Sequence, residues 1–336
     1  MTALVPSSLV GDASFEVSEA ISARDLNNLY LTSCYFRDRE RFQAFCGLYA
    51  LMRVIDDRVD AITDRTALSP EEREREHGVI DAWASAFIAA VEGVEISRQD
   101  LFACETADAP VLLDAAARSM RLFPVPLSLW QNFFRAMHAD VDQARFGTYA
   151  EFLDYTEGAS VAPTTIYLYL LAAERQGEGP YLLPPGFDLL SSGRHLGTFA
   201  YLAHILRDLA EDLEATDQGL VYLATEDLAD FGLDEAALRE DLARHEARPE
   251  LRQLVAEMVD RSREHLAAGR ALLAPLAGRL ETDCAFILEL IVTLYDQILR
   301  RIEAAANDPM RGEHQLTLEQ KQEIAMAVAA RVGFEI

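Results

Sequence analysis

The chain has 336 residues, half of them hydrophobic, and sets 30 basic against 56 acidic side chains for a formal net charge of −26. An apolar share this high, spread along the chain, excludes a disordered protein and leaves material for a large core. The acidic surface repels nucleic acid and anionic lipid head groups, so neither is expected as a general partner.

In chain order, the first twenty residues have no basic start and no long apolar stretch, so no signal peptide is expected. Helical periodicity predicts helices over roughly 15–33, 38–61, 70–93, 110–122, 126–145, 148–157, 161–175, 187–213, 235–246, 249–275, 280–305 and 316–332. No stretch alternates like a strand. Breakers separate the helices at "FPVP" (123–126), "GEGPYLLPPG" (177–186) and "NDPMRGEH" (307–314). Ser69, just before Pro70, reads as a helix cap with proline at the first helical position. No repeat or linker divides the chain, so one all-α domain spanning 1–336, with an ordered core over about 15–332, is expected. The apolar runs "TIYLYLLAA" and "CAFILELIVTLY" are too short or too interrupted to cross a bilayer, which points to a soluble protein. Cys34, Cys46, Cys104 and Cys284 form no CxxC pair and read as reduced thiols of a cytoplasmic protein.

Two acidic clusters stand out. In "YALMRVIDDRVDAI" (49–62), Phe42, Phe45, Tyr49, Met52, Asp56 and Asp60 follow helical spacings and share a face, with Arg53 one turn before Asp56. In "FAYLAHILRDLAEDL" (199–213), Gly197, Tyr201, His204, Asp208 and Asp212 share a face flanked by Arg207 and Glu211. Either cluster alone reads as a solvated face paired with arginine. Two of them, each ending an apolar stripe and each carrying an arginine in nearly the same place, point to one shared site. Carboxylates cannot hold a polyanion directly, but they hold Mg²⁺, which takes one or two of them and fills its shell with water and phosphate oxygens. Arginines at the rim would grip the same phosphates, and aromatic faces would border any carbocation left by a departing diphosphate.

At this point the chain resembles the squalene and phytoene synthases, which join two prenyl diphosphates head to head. "YALMRVIDDRVD" resembles that family's first motif at Tyr49, Ala50, Arg53, Asp56, Asp57 and Asp60. "ILRDLAEDL" and "GLVYLATEDLADFGL" resemble the second, at Arg207, Asp208, Glu211, Asp212, Tyr222 and Leu223. Arg145, Tyr155 and Tyr295 fall at family-like places, and the likeness runs over about residues 25–305. It implies an isoprenoid synthase fold, a single helical bundle around a central apolar cavity. It implies Mg²⁺, with Mn²⁺ as a substitute, on Asp56, Asp60, Asp208 and Asp212. Arg53 and Arg207 would hold diphosphate with Asp57 and Tyr30 in support, while Tyr49, Tyr155, Tyr201 and His204 would act at the reacting carbons. The implied reaction couples two farnesyl or geranylgeranyl diphosphates through a cyclopropyl diphosphate, towards squalene, hopanoids or carotenoids. A need for NADPH is left open, as are a monomer or homodimer and a transient contact with a membrane surface.

The chain departs from the family pattern at several positions. The family's Ser-x-Ser-Phe is "NNLY" (27–30), where only Tyr30 corresponds. Its Gln-x-x-Asn is Tyr201 and His204, and the arginine usual before the late "VYL" is Leu220. Its glycine-bearing kink is "ASVAPTTI" (159–166), where Pro163 is expected to break the helix. These departures keep two other readings open: a terpene synthase-like ionisation of one prenyl diphosphate to a cyclised or hydroxylated product, and a non-catalytic prenyl-lipid-binding or assembly factor. His204 reads as a ligand, an orienting group or a base, or else as a histidine satisfied by Asp208. Tyr49, Tyr155 and Tyr201 read either as cavity lining or as core. Asp140 and Asp142, near Arg145, read as local ion pairs or else as a third polar patch at the mouth of the cavity.

Overall fold

Apolar side chains three and four residues apart wind most of this chain into helices. A computed structural model describes residues 12–62, 65, 67–142, 145–175, 177–215, 222–312 and 314–336. The helices are α1 (Ala13–Ser22), α2 (Asn28–Ser33), α3 (Arg39–Asp60), α4 (Pro70–Glu92), α5 (Arg98–Ala103), α6 (Ala109–Leu122), α7 (Leu127–Val141) and α8 (Tyr149–Thr156). A π-helical turn (Glu157–Val161) leads into α9 (Ala162–Ala172) and α10 (Leu189–Ala215). Then come α11 (Thr225–Asp230), α12 (Glu235–Arg244), α13 (Pro249–Ala277), α14 (Thr282–Ala304), a 3₁₀ turn (Pro309–Arg311) and α15 (Leu318–Val332). Their apolar faces merge into one continuous core running from Ile21 to Phe334.

The differences from the sequence expectations have local causes. The helix expected over 15–33 is split, because Leu26 takes a left-handed conformation (φ 47°) and Asn27 caps α2 by accepting the Tyr30 N–H at 2.9 Å. Pro163 does not break its helix. It sits in the first turn of α9, where its missing N–H costs little, and the preceding π turn absorbs the irregularity, with the Ala162 N–H reaching the Glu157 carbonyl. The breaker at 177–186 holds half of a two-residue antiparallel pairing, β1 (Glu174–Arg175) with β2 (Tyr181–Leu182). The six-residue helices α5 and α11 are too short to declare a period. Ser69 forms a reciprocal capping box with Glu72, and Pro70 opens α4. Leu220 and residues 143–144 lie outside the described residues, and the helix expected over 126–145 ends at Val141. All four cysteines are free, with Cys34 exposed and the other three buried. Among the described residues no helix is long and apolar enough to cross a membrane.

Helix α10 runs through the middle, packed on α9, the π turn, α13 and α14. Two glycines one turn apart permit its closest approach. A Cβ on Gly197 would stand 2.6 Å from the Val161 Cα, and one on Gly193 would overlap Thr165. At Gly158, in the π turn, a Cβ would overlap the backbone carbonyl of Asn132 on α7, which no rotamer change can relieve. Gly158→Ala is therefore expected to cost about 1–3 kcal/mol of overpacking, read as a lowered urea midpoint with an unchanged slope. The same variant should lose activity through displacement of Tyr155, two residues before the turn begins.

Candidate active site

The stripe that runs along α3 ends at a cavity of about 910 Å³, and the stripe of α10 ends at the same one. From α3 the wall carries Tyr49, Met52, Arg53, Asp56 and Asp60; from α10 it carries Tyr201, His204, Arg207, Glu211 and Asp212. The two helix ends face each other across the space, bridged by α7, α9 and the π turn. Phe133, Pro163, Leu196, Phe199 and Ile291 supply apolar wall.

Arg53 is the cation closest to the like charges at the end of α3. Arg53 Nη2 donates to Asp25 Oδ2 at 3.0 Å, Nη1 lies 3.6 Å from Asp56, and Nε lies 2.7 Å from Asp57. That last pair is a charge contact only, because the N–H is out of line for a hydrogen bond. Arg53, even with Arg24 at 3.8 Å from Asp57 and Arg65 acting on Asp60, does not offset this many carboxylates. Asp56 keeps 39% of its side-chain surface accessible, but that surface opens on the cavity, with protein around it. Crowding by protein, then the charges of Asp60, Asp140 and Asp57 against the pull of Arg53, push its carboxyl up to about 8. Asp60 is raised for the same leading reason, although Arg65 and Arg53 oppose the shift. Across the cavity, burial and then Asp208, Glu211 and Asp60 push Asp212 up to about 7. The two clusters therefore share one electrostatic field.

Asp208 behaves differently. Burial opposes its ionisation, but a two-pronged hydrogen bond from Arg207 and a contact from His204 Nε2 at 3.0 Å overcome that penalty. Its carboxyl lies below the usual range. Engaged this way, Asp208 is kept off the cavity wall, while Arg207 and His204 remain on it. His204 is thus at once paired with Asp208 and facing the cavity.

Two residues expected at the diphosphate do not reach the cavity wall. Asp57 points to the outer side of α3, where Arg53 and Arg24 (3.8 Å) take its charge. Tyr30 turns towards Phe42, ring centroids 6.3 Å apart, because the Asn27 cap sets the rotation of α2. Asn27 and Asn28 line the cavity in its place. Asn27 donates to the Tyr49 hydroxyl at 2.5 Å, and burial pushes that phenol up to about 12. Asn28 is buried and its Oδ1 has no hydrogen-bond partner, an acceptor on the wall that a hydrated cation or a hydroxyl would satisfy. Arg145 pairs with Glu235 at 2.8 Å and does not line the cavity.

Aromatic rings form one flank. Tyr155, Tyr201 and Tyr222 stand 6.0 to 6.1 Å apart in a triangle, and Tyr295 completes the wall from α14. The Tyr155 hydroxyl donates to Asp140 Oδ1 at 2.8 Å. Asp140 is therefore a cavity residue, pushed up by burial to about 7, and Asp142 pairs not with nearby Arg145 but with Arg73 of α4, beside a 3.0 Å contact to His77. Arg65 is a further addition from the loop after α3. Its Nε donates to the Asp140 carbonyl at 2.7 Å, Nη1 to Ile62 at 3.0 Å and Nη2 to Val59 at 3.1 Å, closing the unpaired end of α3. Arg65→Gln should lower stability by about 3 kcal/mol and weaken diphosphate binding, as measured by denaturation and by calorimetry.

The donor set is hard oxygen, short of positive charge, with an orphaned acceptor beside it, and this fits Mg²⁺ or Mn²⁺. Among the described residues, no three of these cavity groups converge within 4.8 Å as a closed cage; the group that does, Glu281, Asp283 and Cys284, lies outside the cavity. There Arg41 neutralises Glu281 at 2.9 Å and the Arg37 N–H occupies Asp283 at 2.7 Å. An open set of carboxylates suits an ion that completes its shell with water and substrate oxygens.

An all-α bundle enclosing an apolar cavity with acidic helix ends at its mouth defines the isoprenoid synthase class. Within it the chain belongs to the squalene/phytoene synthase family, whose profile matches residues 24–322. No curated protein sequence matches the chain significantly. Among solved structures it is similar to a dehydrosqualene synthase in complex with ligand, at 18% identity and TM-score 0.73, covering 96% of this chain and 97% of that one. It is also similar to the squalene synthase HpnC from Alicyclobacillus acidocaldarius, at 19% identity and TM-score 0.65, over 88% and 95% of the two chains. YisP from Bacillus subtilis follows at 14% identity and TM-score 0.56, over 94% and 95%. At these identities the structures speak for the fold, and the family match places the chain among head-to-head prenyl transferases.

Proposed function

We propose that this protein couples two prenyl diphosphates, farnesyl or geranylgeranyl, head to head through a cyclopropyl diphosphate in the 910 Å³ cavity. What supports the reading is that Asp56, Asp60 and Asp212, from two distant segments, line the same space as an aromatic wall. Mg²⁺ held by these carboxylates would neutralise the departing diphosphate and assist carbon–oxygen cleavage. Asp208, held by Arg207, would add a further carboxylate to this set if that pairing opened. Arg53 and Arg207 hydrogen-bond the phosphate oxygens from opposite rims. The faces of Tyr155, Tyr201 and Tyr222 stabilise the allylic cation without a nucleophile to trap it, and the apolar wall excludes the water that would quench it. Tyr155 is fixed by Asp140, and Tyr49 by Asn27.

The test is incubation of the purified protein with each prenyl diphosphate and Mg²⁺, with and without NADPH, and mass analysis of the products. A hydrocarbon or diphosphate carrying two substrate skeletons is expected. A product with a single skeleton would replace coupling by ionisation and cyclisation or water capture, and no binding of prenyl diphosphate at all would replace it by a carrier role.

A further inference from the structure

Helix α14 has a second working face. Leu288, Ile291 and Tyr295 line the cavity described above, whereas Glu289, Asp296 and Arg300 turn to a separate cleft of about 420 Å³ against α13 and α15. Arg263 and Arg270 of α13 and Arg331 of α15 line it as well. On a chain of net charge −26, this cleft gathers four guanidinium groups around two carboxylates.

Each carboxylate already serves two arginines. Glu289 accepts from Arg270 at 3.0 and 3.3 Å and from Arg331 at 3.3 Å. Asp296 accepts from Arg263 at 2.9 Å and from Arg300 at 2.7 Å. Arg263 turns its remaining donors outward to Glu303, at 3.2 and 2.6 Å. Even with Glu303 counted, four guanidinium groups meet three carboxylates here, a surplus of one cation. A guanidinium carries five N–H donors. Arg300 spends one of its nitrogens on Asp296, and Arg331 spends one, shared between Glu289 and Thr293. Both stay more than half exposed, at 59% and 57%. Their free forks match the oxygens of phosphate, which arginine recognises two at a time. The repulsive field of the rest of the chain is screened beyond roughly 8 Å at physiological ionic strength, so contact with the arginines decides binding.

We propose that this cleft binds a phosphoryl group, carried either by a small phosphate monoester or by an anionic lipid headgroup. The test uses glycerol 3-phosphate in calorimetry and phosphatidylglycerol vesicles in co-sedimentation, both in EDTA so that no metal loads the cavity on the other side of α14. Arg300→Gln with Arg331→Gln is expected to weaken binding at least tenfold. Gln297→Glu places a negative charge in the cleft and keeps every arginine, so it should do the same even if the double variant fails to fold. Arg98→Gln with Arg244→Gln makes the same charge change elsewhere and should leave affinity within twofold. Binding of glycerol 3-phosphate assigns the cleft to a soluble monoester, and binding of vesicles alone assigns it to a membrane headgroup; either supports the proposal. It is overturned if neither probe binds, if Gln297→Glu binds as wild type does, or if the control pair loses as much as the cleft variants.

Discussion

Asp60→Asn and Asp212→Asn, made one at a time, are each expected to lower kcat/KM for prenyl coupling by about 10³. Each removes a carboxylate of the cavity wall, and with it charge stabilisation worth several kcal/mol at the leaving diphosphate, where 1.36 kcal/mol is a factor of ten. Asp57→Asn is the control within the same motif. Its side chain lies on the outer side of α3 with Arg24 and Arg53, so its loss should stay within about tenfold, the scale of a surface ion pair worth up to ~1 kcal/mol. Release of pyrophosphate from farnesyl and geranylgeranyl diphosphate in magnesium buffer reads all three variants. Equal losses at Asp57 and Asp60 would mean that the cavity wall does not select the working carboxylates. Full activity in both Asp60→Asn and Asp212→Asn would remove the site altogether.

That contrast marks how far the sequence could be read. The two stripes were legible because helical periodicity alone puts Tyr49, Met52, Asp56 and Asp60 on one face and Tyr201, His204 and Asp212 on another. Family-like order then implied that the faces meet. What the pattern could not carry was rotation and pairing. Asp57 is adjacent to Asp56, and adjacent helical residues do not share a face, so its place in a motif outweighed its geometry in the reading. Tyr30 was matched by register, yet α2 is a short helix whose rotation is set by the Asn27 cap and its bond to Tyr49, a contact 22 residues away. The same cap brings Asn27 and Asn28 to the wall, in the stretch that stands for the family's Ser-x-Ser-Phe, where residue identity matched only Tyr30. For Asp140 the choice between a local ion pair and a polar patch at the mouth stays open in the sequence, because its partner, the Tyr155 hydroxyl, becomes a neighbour only when α8 folds back beside α7. Asp208 sat on the right face, but the two-pronged grip of Arg207 is a choice of rotamer that spacing does not encode.

Magnesium should raise the melting temperature, and by more at pH 8.5 than at pH 5.5. Asp56, with its carboxyl pushed up to about 8, and Asp212, pushed up to about 7, both start from an ordinary value of 3.8 in the unfolded chain. A raised carboxyl binds its proton more tightly in the folded state, so the unfolded state holds fewer protons between pH 3.8 and 8 and stability falls as pH rises through that window. Without metal, these groups should therefore make the protein melt lower at pH 8.5 than at pH 5.5. At pH 8.5 the carboxylates are ionised and repel one another, and a divalent cation relieves that repulsion directly. At pH 5.5 it must first displace protons, and the gain shrinks. At a hundredfold excess over its dissociation constant the ion adds about 2.7 kcal/mol, which for a chain this long corresponds to roughly 4 °C. Asp56→Asn sharpens the test, because it removes one of the repelling charges. The variant should melt higher than wild type in EDTA at pH 8.5, respond less to magnesium, and still be inactive. A magnesium shift of equal size at both pH values, or one that Asp56→Asn leaves intact, would show that the ion binds away from these carboxylates. The stability recovered by the inactive variant would measure what the cavity forgoes to keep its acids close enough to hold a metal.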